Sequence, residues 1–250
     1  MHPHRLVCAR EFLSPRLFLA IVFSAIMAAG CAALGLEDVN IISIEEEWEM
    51  GRQLEEELAR ELEVSQDAAL TRMGERIVVQ TPMAGRDWRF YVVEDQTVNA
   101  FNVPGGLIYV YTGLIDMAAD ENELAAVVAH EIGHGVARHG TQRLTRQYGL
   151  AVLAGVVLGE EPGVLQQIVA EVVAAGAIAR FSRAQEYEAD ELGVRYMATA
   201  GYDPRGMIAF FERLLELQRR EPGTVEQFFA THPATADRIQ RVEAEIEGLE

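Results

Sequence analysis

The segment Asp120-Glu-Asn-Glu-Leu-Ala-Ala-Val-Val-Ala-His130-Glu131-Ile-Gly-His134-Gly-Val-Ala-Arg-His139-Gly140 constrains this chain more than any other. Asp120 and Glu123 make a capping-box-like start, and Leu124, Val127, Val128 and Ile132 recur as an apolar stripe, so the spacing predicts an amphipathic helix. Residues four apart on a helix lie about 40° from one another and one turn along the axis. His130 and His134 therefore present two imidazoles to one side, where both can reach a single Zn2+ ion. Glu131 is rotated by about 100° from His130 and cannot easily bind the same ion. Its carboxylate can reach a water at the open fourth position, and there it would act as general base for attack on a peptide carbonyl.

A catalytic zinc needs one more protein ligand, for which the chain offers His139, His232 or a carboxylate. On an unbroken helix His139 is turned about 140° from His134, which excludes it as the third ligand. Beside Gly140 it is expected to close the helix, as a protonated imidazole favoured by the helix dipole. Downstream, Arg183-Ala-Gln-Glu186-Tyr-Glu188-Ala-Asp190-Glu191-Leu-Gly puts Glu186 and Asp190 on one helix face at i, i+4. Such a pair suits one ligand carboxylate and one Asp that accepts the outer N–H of a ligand histidine. The residues alone do not select Glu186 over Glu188 or Glu191.

The first 30 residues read as an export signal: Arg5, Arg10 and Arg16 precede an apolar run of 13 from Leu17 to Ala29, and small residues lead into Cys31. Thirteen helical residues span about 20 Å against a hydrocarbon core of roughly 30 Å, so a cleaved leader is expected rather than a stable span. Ala28-Ala29-Gly30-Cys31 resembles a bacterial lipobox, with Cys31 as the lipidated residue, and Ala32 after it suggests sorting to the outer membrane. The expected organisation is a lipoprotein signal peptide over 1–30, a tether over 31–42 and a catalytic domain over 43–250. The chain has 39 acidic and 21 basic residues, all 21 of them Arg, for a net charge of −18. Removing three Arg and Glu11 with the leader leaves −20. That sign argues against a nucleic-acid partner.

Within the catalytic domain Ser43 and Glu46 form a capping box, and Trp48, Leu54, Leu58 and Leu62 follow at helical spacing. The runs Glu45 to Glu47 and Glu55 to Glu57 are expected on its solvated face. A second helix is expected over Ala68 to Gln80. Strand-like runs at Arg89 to Val93, Val98 to Val103 and Leu107 to Tyr111, with a turn at Pro104-Gly105-Gly106, predict a small antiparallel sheet. The remainder reads as helical, with breaks near Gly140, Glu160 to Gly163, Gly201 to Pro204, Pro222-Gly223 and His232-Pro233. The fold class is thus α+β, mainly helical. The apolar stretch Leu150 to Ala179, divided at Glu160 to Gly163, is too short in either half for a membrane span and reads as a helical hairpin, expected as a lid over the cleft.

Four motifs in order, His130-Glu-Ile-Gly-His134, Glu186-x-x-Ala-Asp190, Asn99-Ala-Phe-Asn-Val-Pro-Gly-Gly and Thr231-His232-Pro233 ahead of Arg238, resemble the zinc metallopeptidase family of HtpX, Oma and CAAX-prenyl-protease type. This is a gluzincin family with a zincin-like domain, and the likeness is to its bacterial lipoprotein branch, which includes BepA and LoiP, without a helical-repeat tail. The resemblance implies one Zn2+ per chain on His130, His134 and Glu186, Glu131 as general base, and Asp190 orienting a ligand histidine. It implies active-site roles for His232, as a cover or occupant of the open zinc position, and for Arg238, steadying an oxyanion. It also gives Asn99, Ala100, Phe101 and Asn102 a role as an edge strand that pairs with an extended substrate. The expected function is an envelope metalloendopeptidase on the periplasmic face that degrades misfolded or unassembled envelope polypeptides. The competing expectation is a chaperone-like or latent binding module for outer-membrane proteins.

Overall fold

The computed structural model describes residues 40, 42–175, 180–233 and 236–249. The expected leader, Cys31, most of the tether and the last four residues of the hairpin, 176–179, lie outside them. The described residues open with α1 (Ile44–Glu61), whose cap Ser43 accepts from Glu46 N at 3.1 Å while Glu46 accepts from Ser43 N at 2.7 Å. Both halves of the expected capping box are present. Then come β1 (Val64–Ser65), α2 (Ala68–Val78), β2 (Arg89–Val93), β3 (Ala100–Val103), β4 (Leu107–Tyr111) and a short α3 (Thr112–Met117). The helical remainder is α4 (Glu121–Val136), α5 (His139–Tyr148), α6 (Leu150–Val157), α7 (Pro162–Ala175), α8 (Arg183–Thr199), α9 (Arg205–Arg220), α10 (Glu226–Thr231) and α11 (Ala236–Leu249).

The sheet order is β1-β2-β4-β3, and the sheet is mixed rather than wholly antiparallel: β2 and β4 run parallel, with Phe90 opposite Ile108. A parallel neighbour needs a crossover. Residues 94–106, which include β3 itself, supply it and then fold back through Pro104-Gly105-Gly106 so that β3 pairs antiparallel to β4 at the outer edge. Gly105 at φ 90° and Gly106 at φ 76° make that turn, and the Gly105 Cα lies 2.7 Å from where a Cβ on Gly51 of α1 would sit. Side chains at both contact points would force helix and turn apart.

Strand alternation divides the core into two layers. Phe90, Val92, Ala100, Ile108 and Val110 face α2, α4 and α9, whereas Val93, Phe101, Val103, Leu107, Tyr109 and Tyr111 face α1 and the α6–α7 pair. Leu153, Val156, Ile168, Val169 and Val172 of that pair are buried in the second layer. The two helices of the expected hairpin are present and pack on this face of the sheet and on α1, among Phe101, Tyr109 and Leu54. They meet at 94°, and no single described helix is long and apolar enough to cross a membrane.

Candidate active site

The helix read from the sequence at Asp120 is α4. Asp120 accepts from the backbone N–H groups of Asn122 and Glu123 at 2.9 and 3.0 Å, and Glu123 accepts from Ala119 N at 2.9 Å. Its partner is α8, capped reciprocally by Ser182 and Gln185. The two helices touch through small residues: a Cβ on Gly133 would lie 2.7 Å from the Ala189 carbonyl, and one on Gly193 would lie 3.1 Å from the His130 amide nitrogen. Backbones this close bring Glu186 and Asp190 of α8 directly against His130 and His134 of α4.

A further histidine arrives from the far end of the chain, where α10 ends at His232. His130, His134, Glu186 and His232 are buried, and each places one ligand atom within 4.8 Å of the others. His134 Nε2 lies 3.0 Å from His130 Nε2 and 3.4 Å from Glu186 Oε1; His232 Nδ1 lies 3.3 Å from His130 Nε2 and 3.1 Å from Glu186 Oε1. Glu131 is fully buried, neither carboxylate oxygen is hydrogen-bonded among the described residues, and His232 Nε2 is 3.4 Å from its Oε1. Buried oxygens of this kind are costly unless something positive meets them. The converging lone pairs of two imidazoles and a carboxylate have the donor chemistry of a zinc site, so these residues fit that ion.

Charge is arranged around the cluster. Burial alone would raise the Glu186 carboxyl, but the charges of His232 and Arg238 outweigh it and hold Glu186 well below the ordinary carboxylate range. Burial likewise drives His134 well below the ordinary imidazole range, toward the neutral form that can ligate. For His232 burial pulls downward, and the negative Glu186 and Glu131 reverse it and raise its pKa.

Behind the cluster, His130 Nδ1 donates to Asp190 Oδ1 at 2.9 Å, which leaves the His130 Nε2 lone pair facing inward. Arg238 donates to both Asp190 oxygens at 2.7 Å, and its Nη1 lies 2.7 Å from Glu186 Oε2 and 3.3 Å from the Pro233 carbonyl. The buried guanidinium expected to steady an oxyanion is here directed at two carboxylates and a carbonyl. Asn99 and Asn102 are buried, with the Asn102 amide nitrogen 3.1 Å from a Cβ position on Gly135 of α4, and Ala100 and Phe101 lie on the edge strand β3.

His139 is not a protonated cap. It is buried, and burial lowers its pKa against the pull of Glu188. The helix ends before it, because Arg138 turns left-handed at φ 60°. Its Nδ1 then lies 2.8 Å from His134 Nδ1. Glu47 also departs from expectation: it is buried, not solvated, and accepts from Arg138 Nε, while Arg138 also donates to the Ile42 and Ser43 carbonyls. Phe181, which the sequence reading passed over, stacks on His134 with ring centroids 4.0 Å apart. The only local signal for it was its place just before the Ser182 cap.

Comparison with known proteins agrees with this geometry. The profile described as Peptidase family M48 matches residues 64–246. The mitochondrial metalloendopeptidase OMA1 of Schizosaccharomyces pombe is 33% identical over 176 residues, covering 70% of this chain and 51% of the relative. The putative beta-barrel assembly-enhancing protease of Vibrio cholerae is 32% identical over 179 residues, 67% of this chain and 36% of the relative. The beta-barrel assembly-enhancing protease of Yersinia pestis is 29% identical over 217 residues, 79% of this chain and 43% of the relative. The chain thus spans between a third and about a half of the length of these curated relatives.

Proposed function

Because the chain belongs to peptidase family M48, we propose that it is a zinc-dependent endopeptidase whose substrates are misfolded or unassembled cell-envelope polypeptides. The observation that carries the reading is the buried convergence of His130, His134 and Glu186, together with the buried Glu131 carboxylate, which accepts no hydrogen bond among the described residues. His130, His134 and Glu186 would hold the ion, which when bound supplies a Lewis acid to the scissile carbonyl and its attacking water. Glu131 takes the proton from that water and passes it to the departing amine. Asp190 keeps the His130 proton on Nδ1, and Arg238 neutralises Asp190 and Glu186 so that both stay ionised and in place. The edge position of β3 supports a role for Asn99, Ala100, Phe101 and Asn102 in pairing with an extended peptide, a mode that reads backbone more than side chains. The proposed setting is the periplasmic face of a bacterial envelope, with lipid on Cys31 as the tether; the names of the beta-barrel assembly-enhancing relatives support that setting.

The test is Glu131→Gln in the full-length protein. It should abolish casein cleavage, a loss of at least about 100-fold, while about one zinc per chain remains bound. Cleavage at the parental rate would sink the mechanism.

The contact of His232 with His130 and Glu186 favours a second reading, that the resting protein is latent and holds its clients before it cuts them. His232→Ala should then raise basal casein cleavage. A variant with lower activity than the parent argues instead for a direct catalytic part for His232.

A further inference from the structure

The left-handed turn at Arg138 gives His139 a position that no continuous helix could. A non-glycine residue at φ 60° costs roughly 1 kcal/mol or more and persists only where its surroundings fix it. Here they do: Arg138 is anchored through Glu47 and the carbonyls of Ile42 and Ser43. The turn folds the His139 ring beneath His134, with centroids 5.0 Å apart and the two Nδ1 atoms at 2.8 Å. On its other side His139 Nε2 lies 3.3 Å from Glu188 Oε2, and the Glu188 side chain is 59% exposed.

For His134 to present a lone pair at Nε2 toward His130 and Glu186, its proton must sit on Nδ1. Among the described residues, the hydrogen-bond partner at that Nδ1 is His139 Nδ1. An imidazole accepts at Nδ1 only if its own proton is on Nε2, which then points at the Glu188 carboxylate. The donors therefore run in one direction, from His134 to His139 to Glu188. We infer that His139, backed by Glu188, is a positioning residue for the ligand His134, as Asp190 is for His130. The inference rests on the zinc-site reading above. The two ligands are held differently: His130 by a buried carboxylate neutralised by Arg238, His134 by a neutral ring that ends at a solvent-exposed carboxylate. At 3.3 Å from an exposed group the outer link is the weaker one.

The test uses full-length protein and three variants, His139→Leu, His139→Gln and Glu188→Gln. Zinc affinity is measured by competition with a chromogenic chelator, and thermal midpoints are measured on metal-stripped protein. Loss of a group that orients a ligand histidine weakens metal binding about 10- to 100-fold. His139→Leu should show that loss with the stripped protein's midpoint close to parental. Glutamine can accept from His134 and donate to Glu188, so His139→Gln should recover most of the affinity, and Glu188→Gln should lose less than about tenfold. Equal losses for leucine and glutamine, or parental affinity for leucine, overturn the inference. Nitrogen-15 NMR of the zinc-loaded parent needs no variant to fold: protons on His134 Nδ1 and His139 Nε2 support it, and the opposite tautomers overturn it. A parent that binds no zinc overturns the zinc-site reading as well, whereas tight zinc in both parent and His139→Leu removes only the present inference.

Discussion

Gly193 faces the backbone of a proposed zinc ligand, and enlarging it should separate metal affinity from fold stability. A Cβ at this position would sit 3.1 Å from the His130 nitrogen, 3.2 Å from the Ala129 carbonyl carbon and 3.1 Å from the Met207 methyl. Ordinary contact begins at 3.4 Å, so Gly193→Ala must push α8 from α4 by about 0.3 Å. In an exposed helix the same change would gain about 1 kcal/mol of helix propensity. Mild overpacking costs about 1 kcal/mol at the lower end of its range, so the metal-stripped variant should unfold within roughly 1 kcal/mol of the parent. Ligand distances in a well-formed zinc site are expected within about 0.2 Å of their usual values. Moving Glu186 by more than that against His130 and His134 should weaken zinc about 3- to 10-fold, below the loss for an orienting group. Gly193→Val adds two γ-carbons against the same backbone, and should cost about 1–3 kcal/mol in urea unfolding together with a larger loss of zinc. Gly163→Ala serves as the control, since a Cβ there meets nothing within 4 Å. It should leave zinc binding unchanged and stabilise the fold by about 0.5–1 kcal/mol. A Gly193→Val protein with parental stability and parental zinc affinity would refute the argument that this contact sets the spacing of the ligands.

Two further perturbations probe the frame around the site. Glu123 is held below the ordinary carboxylate range by the two-point contact from Arg213, helped by the Ala119 N–H, so its contribution to stability is present above the unfolded pKa and is lost as pH falls through the lower folded value. Glu123→Gln should cost about 2 kcal/mol near neutral pH and flatten the acid limb of a urea-midpoint profile; an unchanged acid limb would contradict the assignment. Arg138→Gly relieves the left-handed strain but strips the buried Glu47, whose carboxyl burial already raises, of its counter-charge. The net loss should be about 2–4 kcal/mol, and adding Glu47→Gln should recover at least half of it in a double-mutant cycle, whereas simple additivity would deny the coupling.

The parts of the fold that were legible in the sequence are those whose cause is local. The capping box at Ser43, the period of α4 and the strand runs around Tyr91 and Tyr109 each depend on neighbours within a few residues, and each formed where expected. The direction of β4 does not. Alternation states which side chains share a face, but it is blind to whether β3 or β4 lies against β2, and the crossover through residues 94–106 decided that. Glu47 shows the same limit from another side. An acidic run at a helix start reads as solvated, and only Arg138, 91 positions away, converts one member into a buried ion pair.

At the site, the same distinction separates the proposed ligands from the residues proposed to hold them. His130 and His134 are one turn apart, so local geometry was sufficient to pair them. Choosing among Glu186, Glu188 and Glu191 required the rotation of α8, which is set where Gly193 and Ala189 touch α4. That rotation aims Glu186 at the ligand atoms, sends Glu188 to His139 and leaves Glu191 paired with Arg195. One backbone contact thus gives three neighbouring carboxylates different surroundings. His139 departs from the expected cap for a related reason: Gly140 is the visible helix breaker, but the break falls at Arg138, held by groups on and just before α1 that no local pattern encodes. If the left-handed turn exists to deliver His139 to His134, then the α1 contacts that fix Arg138 also act on the metal, and the Arg138→Gly protein should lose zinc affinity even after Glu47→Gln has restored its stability.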